Sequence, residues 1–342
     1  MNLPLTVVHV NDIAWVGRSL VAAQRRRGDS VALIDVPKPG AGLPYPWKLA
    51  AIAIRLPILL AISFQVRRRA PAIVHIHYAT QAVVGPLSRR PFVIHCHGSD
   101  IRGVDRGGLR GRLLERLLAR ASLVLYSTPD LAEDARGLRA DAVFLPNPID
   151  VRAFTAGGER DRDVLVGARL DSVKGAEIAI QAIDQLLTRR PATTVTVVAN
   201  GRLAGEAAAL LRSRARFVAP VAHAEMPQLL RRHRVAVGQF RVGAVGQFEL
   251  EAMACATPVV ADFRFPRAYG TPPPIQPARD ADEVAAALER LLDDDDRREQ
   301  LGRDARKWVV ANHADDAIAA QLDELYRAAL SRERQRQVST PS

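Results

Sequence analysis

Eleven short apolar runs, rich in β-branched residues, recur along the sequence with helix-length stretches between them. TVVHV, VALIDV, IVHIHY, FVIHCH, LVLYS and VFLPN fall in the first half, and VLVGARL, TVTVVAN, RFVAP, VAVGQF and PVVAD in the second. A helix-length crossover returns the chain to the same end of a sheet, so such strands run parallel with helices on both faces. Two series predict two doubly wound α/β domains, and 342 residues suffice for both. The break is expected after NPID, Asn147 to Asp150, with the Gly- and charge-rich stretch Thr155 to Asp163 as linker. This places the domains at 1–155 and 160–312. The polar residues 332–342 predict a disordered tail.

Two cysteines, Cys96 and Cys255, lie far apart in apolar runs, which fits a reducing cytoplasm better than a disulfide framework. The start, MNLPLTVVHVND, has no basic n-region and reads as a first strand. The longest apolar stretch, Leu49 to Phe64, contains Arg55 and Pro57 and falls short of the ~20 apolar residues that span a bilayer. The net charge of +11 favours acidic partners such as phosphates, anionic lipid or nucleic acid. Asp293 to Asp296 form an acidic run between two helical patterns and read as a helix start before a metal site. No metal site is expected.

Three features of the second half converge on a bound diphosphate. In GARLDSVKG a strand ends at Arg169, and Lys174 and Gly175 precede a helix. Open α/β sheets bind ligands at the carboxyl ends of their strands, where two cations would stabilise a leaving pyrophosphate. In GAVGQFELEAMACATPVV, Gly243 and Gly246 belong to a loop that opens a helix near Gln247, and a helix N-terminus is an anion site. Glu251, one turn in, is placed to accept hydrogen bonds from ribose hydroxyls. PVVAD would close the crevice. In the first half, FVIHCHGSD brings His97 and Asp100 to a strand's carboxyl end; His77 is a second candidate there, and His75 reads as core.

The order GARLDSVKG, strand, Gly loop, LEAMA and PVV, with HGSD and PNPID earlier and KWVVANHADDAIAAQLDELY at the end, resembles glycosyltransferase family 4 over nearly the whole chain. The resemblance implies the GT-B fold, two Rossmann-like domains facing across a cleft, with a last helix, 314–331, crossing back onto the first. It implies that Arg169 and Lys174 hold the donor diphosphate, that Glu251 binds the ribose, and that His97 and Asp100 line the cleft. The family's glutamate eight positions before Glu251 is absent, because Gly243 stands there; Glu249 and Gln239 are the nearby side chains that could replace it. The opening loop, NDIAWVG, has one glycine, Gly17, where the family has a Gly-rich pair, and a bulky Trp15 that is a candidate for the acceptor pocket.

The implied reaction is retaining transfer of a sugar from a nucleoside diphosphate to an acceptor hydroxyl on a glycan, lipid or small molecule, without cofactor or metal. Alternatives are a non-catalytic GT-B subunit, supported by Gly243, and a nucleic-acid acceptor, supported by charge but not by the 5% aromatic content. A dinucleotide oxidoreductase ranks low, since no GxGxxG follows the first strand. Arg112, Arg116 and Arg120 share a helix face opposite Leu113, Leu114, Leu117 and Leu118, and Trp47 to Arg69 is apolar with a basic end. Both read first as ordinary helices, and second as peripheral contacts with a membrane's inner face.

Overall fold

The computed structural model describes residues 3–37 and 47–339. The chain divides into two units, residues 3–148 with 315–339, and residues 149–314.

The first unit runs β1 (Thr6–Val10), α1 (Val16–Arg26), β2 (Ser30–Ile34), α2 (Trp47–Arg69), β3 (Ile73–His77), α3 (Val84–Ser88), β4 (Phe92–Cys96), α4 (Leu109–Ala119), β5 (Leu123–Tyr126), α5 (Ala132–Leu138) and β6 (Val143–Phe144). All its strands are parallel, in the order β2-β1-β3-β4-β5-β6. The period of two along each strand sorts side chains between faces. Val8, Val10, Val74, Ile76 and Ile94 pack with Leu59, Ile62 and Val66 of α2 and with Leu114 and Leu118 of α4. Val7, Ile73 and Val93 on the opposite face pack with Leu20 and Val21 of α1.

The second unit runs β7 (Arg162–Val166), α6 (Ala176–Arg189), β8 (Val195–Val198), α7 (Ala204–Leu211), β9 (Arg216–Val218), α8 (Met226–Arg232), β10 (His233–Val237), α9 (Gln247–Ala254), β11 (Val259–Ala261), β12 (Gln276–Pro277), α10 (Ala281–Asp293) and α11 (Asp295–His313). Its parallel sheet has the order β12-β11-β10-β7-β8-β9. The chain then returns to the first unit as α12 (Asp315–Ser339), where Ile318, Leu322, Tyr326 and Ala329 bury against the sheet face that also receives α1.

All eleven apolar runs form strands, and a twelfth, β12, escapes sequence inspection because it is two residues long and ends in proline. β7 stops at Val166, three residues short of the expected Arg169. At Gly167 a Cβ would stand 2.1 Å from the Phe248 ring, so α9 packs against the point where the strand ends. The expected tail at 332–342 is instead helical as far as Ser339, with residues 340–342 outside the described set. Its Arg, Glu and Gln residues are good helix formers, and no Gly or Pro interrupts them before Pro341. Asp294 caps α11 by accepting the Arg297 N–H at 2.9 Å, which is the helix-start role expected of the acidic run. Leu113 departs from its expected buried face and is 55% exposed, while Leu114 and Leu118 are buried.

Candidate active site

From β7 the second sheet grows outward through β8 to β9, then resumes at β10 on the other side of β7. The loops leaving β7 and β10 therefore diverge, and a crevice opens at their carboxyl ends. Arg169 and Lys174 lie in the first of these loops. The Arg169 side chain is 57% exposed, with Nε 2.5 Å from Asp171 Oδ2. Burial opposes ionisation of Asp171, but the Arg202 amide, donating at 3.0 Å, and the Arg169 guanidinium hold its carboxyl below the usual range. Lys174 ends a short 3₁₀ turn, and its Nζ donates to Gln239 Oε1 at 2.8 Å. Because Gln239 belongs to the loop after β10, this ammonium joins the two diverging loops. Sequence reasoning found the cations and missed Asp171 and Arg202, whose roles depend on a contact across 31 residues.

Past β10 the chain reaches α9 through Gly243 and Gly246. Glu249 is buried, and its Oε2 accepts the Gly246 N–H at 2.9 Å. Burial pushes its carboxyl up, against the pull of Lys174. Glu249 thus caps its own helix and does not project as a replacement for the family glutamate. Gln239 is likewise occupied, its amide nitrogen donating to the Ala244 carbonyl and its oxygen accepting from Lys174. Glu251 is buried, its Oε1 accepting from His223 Nε2 at 2.9 Å and from Gln247 Nε2 at 3.2 Å. Gly243 has φ +70°, and a Cβ there would stand 2.9 Å from the Arg264 side chain. The missing glutamate therefore reflects a local backbone built for glycine, with a guanidinium side chain packed against it. Arg264 in turn pairs with the buried Asp262 at 2.5 Å.

In the first unit, the rings of His9, His75, His77 and His95 are fully buried, and His97 is half-buried at the end of β4. β1, β3 and β4 place them in register, His9 beside His75 and His77 beside His95. Burial depresses all five, His9 to about 4 and His97 to about 3, so each ring is neutral at pH 7. His77 therefore has no surface to offer a ligand and stands behind His97, to which it hydrogen-bonds at 3.1 Å. Asp100, expected as a lining group, is also fully buried. Its carboxylate accepts the N–H groups of Ala79, His97 and Gly98 at 2.8, 3.1 and 2.7 Å, which fixes the backbone that carries His97. Gly17 N–H donates to Asp12 Oδ1 at 2.9 Å. Trp15 is 43% exposed, with the Arg18 guanidinium 5.4 Å from its ring.

Two histidine trios, His9–His75–His77 and His77–His95–His97, bring ring nitrogens within 4.8 Å of one another. The rings lie at 11–31° in the first trio and 30–37° in the second. In each trio two of these nitrogens already face one another in a hydrogen bond, His9 Nδ1 with His77 Nε2 at 2.9 Å and His77 Nδ1 with His97 Nε2 at 3.1 Å, so each such bond occupies one lone pair that a metal would need.

A family profile described as Glycosyltransferase Family 4 matches residues 13–153, and one described as Glycosyl transferase-like matches residues 178–324. The chain belongs to glycosyltransferase family 4. A phosphatidyl-myo-inositol mannosyltransferase of Mycolicibacterium smegmatis is 30% identical over 272 residues, covering 72% of this chain and 66% of the relative. Matches to the first curated relatives span 52–66% of their own length. Sucrose-phosphate synthase from Thermosynechococcus elongatus aligns with a TM-score of 0.73 at 18% identity, covering 95% of this chain and 99% of that one. HepE of Anabaena, solved with UDP-glucose, aligns at 0.71 and 17%, covering 95% and 100%. These likenesses give the fold, GT-B with two Rossmann-like units.

In this family 4 member α2 carries apolar side chains on an exposed face as well as on its buried one. On α2, Leu59, Ile62 and Val66 face the core, whereas Ile54, Leu56, Leu60 and Phe64 are 47–60% exposed. The helix ends in Arg67, Arg68 and Arg69, with the Arg68 guanidinium 5.5 Å from the Phe64 ring. Among the described residues no helix is long and apolar enough to cross a membrane.

Proposed function

We propose that this chain is a retaining, metal-independent glycosyltransferase that moves a sugar from a nucleoside diphosphate to an acceptor hydroxyl. The observation that carries this reading is the Lys174 ammonium joining the loops that leave β7 and β10, at the switch point of a Rossmann-ordered sheet. A diphosphate at that point meets Lys174, the exposed Arg169 and the positive end of α9. Glu251, held by His223 and Gln247, is oriented to receive the ribose hydroxyls. As the sugar–oxygen bond breaks, its electron pair goes to the diphosphate, whose new charge the two cations stabilise. The acceptor oxygen bonds to the same face of the sugar and its proton passes to the departing phosphate. No cofactor or metal enters the scheme.

The donor site is tested by thermal shift with UDP, GDP, ADP and TDP. One nucleotide is expected to raise the midpoint, since ligands of the native state stabilise it. Arg169→Ala should weaken that nucleotide about tenfold or more, the worth of a charged hydrogen bond. No shift at millimolar concentration with any of the four sinks the donor site. That outcome favours the second reading, a non-catalytic GT-B subunit, whose support is the Arg264 side chain packed against Gly243.

The phosphatidylinositol-directed relative and the exposed apolar stripe of α2 support a lipid acceptor met at a membrane's inner face. The protein is expected to co-sediment with vesicles containing anionic phospholipid, and Leu60→Asp with Phe64→Asp should abolish this without lowering stability. Unchanged sedimentation of the double variant rules out α2 as the contact.

A further inference from the structure

A chain of hydrogen bonds runs through the first unit from Arg27 to His97. Arg27 Nε donates to Asp323 Oδ2 at 3.1 Å, and Gln24 Nε2 donates to Asp323 Oδ1 at 2.9 Å. Gln24 Oε1 lies 2.8 Å from His9 Nε2, His9 Nδ1 lies 2.9 Å from His77 Nε2, and His77 Nδ1 lies 3.1 Å from His97 Nε2.

Each neutral imidazole has one donor and one acceptor nitrogen, so the chain has only two self-consistent directions. The end group chooses between them. A carboxylate can only accept, which turns the Gln24 NH₂ toward Asp323 and its carbonyl oxygen toward His9. A carbonyl oxygen can only accept, so His9 carries its proton on Nε2 and accepts on Nδ1. His77 must then be protonated on Nε2 and accept on Nδ1, and His97 must be protonated on Nε2. His97 Nδ1 is left as a bare lone pair, without a partner among the described residues. Its orientation is fixed as well, since Asp100 ties down the backbone that carries it.

We propose that Asp323 and Gln24 are positioning residues, setting the direction of the histidine chain so that His97 presents Nδ1 as an acceptor for a substrate hydroxyl. The substrate half of this inference rests on the proposed function; the direction of the chain does not. Gln24 acts as the converter, because its amide is the one group in the chain that can rotate to offer either an acceptor or a donor to His9. Neither residue touches substrate, and both act through three imidazoles.

The test is two-bond ¹H–¹⁵N correlation of the protein labelled with [¹⁵N]histidine, which separates the two imidazole tautomers. The expected wild-type pattern is Nε2–H at His9, His77 and His97. Asp323→Asn preserves shape and reverses the logic. Arg27 retains the amide oxygen, the new NH₂ faces Gln24, Gln24 turns over, and all three histidines should become Nδ1–H. With His97 then donating where it accepted, kcat/KM for sugar transfer should fall about tenfold, roughly one neutral hydrogen bond. Mixed tautomers or Nδ1–H in the wild type, or an unchanged pattern in the variant, overturn the proposed direction. Reversal with transfer unaffected overturns the positioning role and the proposed use of His97 Nδ1 as an acceptor. Failure of nucleotide binding sinks the proposed function without moving any tautomer.

Discussion

Three residues of the loop after β1 adopt left-handed backbone without being glycine: Asn11 at φ 71°, Ala14 at 49° and Trp15 at 67°. This conformation costs an L-residue about 1–2 kcal/mol, and glycine's greater unfolded-state entropy returns roughly 0.5–1 of it. Ala14 is exposed, so Ala14→Gly should stabilise the first unit by about 0.5–1 kcal/mol in urea unfolding. A loss of stability would mean that the left-handed turn is relieved elsewhere. The sequence showed a loop with one glycine where the family resemblance implies a Gly-rich pair, and the structure keeps a glycine-like path with other residues. Placement was legible where charge and strand ends coincide, as for Arg169, Lys174 and His97, and for Glu251 one turn into α9. It was not legible where the partner is distant. Asp100 and His77 read as ligand-facing, yet burial and hydrogen bonds turn both inward. The purpose of Gln24 and Asp323 could not be read, because their connection spans 299 residues.

At the scale of elements the alternation of apolar runs was the dependable signal, since the central strands β3, β4, β5 and β8 are buried along their whole length and are mostly apolar. Boundaries were less legible, and β7 shows why. Its end is set by the Phe248 ring against Gly167, a contact between a strand and a helix some 80 residues later. Gly167→Ala would force that ring away and tilt the start of α9, which carries Gln247, Glu249 and Glu251. The variant is expected to lose 1–3 kcal/mol, the usual cost of overpacking, and to bind the donor nucleotide at least tenfold more weakly in the same thermal-shift screen. Full affinity would show that α9 holds its place without this contact. The segment Trp47 to Arg69 read as a core helix or as one that dips into a membrane interface. The structure gives the helix one buried row and one exposed apolar row.

For the whole molecule, five of the eight histidines lie in one unit and are held neutral by burial. A histidine whose folded pKa lies below its unfolded value binds more protons when unfolded, so stability rises with pH across that window. His9 moves from 6.5 to about 4, which makes its contribution fully present above pH 6.5 and lost as pH falls toward 4. That contribution is roughly 3 kcal/mol. Hydrogen exchange resolved by segment should therefore show β1, β3 and β4 losing protection between pH 6.5 and 4 before β7 and β10 do. Equal loss in both units would mean the buried histidines do not govern acid stability. Finally, the chain leaves the first unit after Pro148 and rejoins it at Asp315, and these crossings are neighbours. Ile149 N–H donates to the His313 carbonyl at 2.7 Å, and Ile149 bridges Ala314. The second unit is thus a cassette inserted at a single point. Under the proposed function, a gene could exchange it whole for one with another nucleotide preference, cutting and joining at two adjacent positions and leaving the first unit intact.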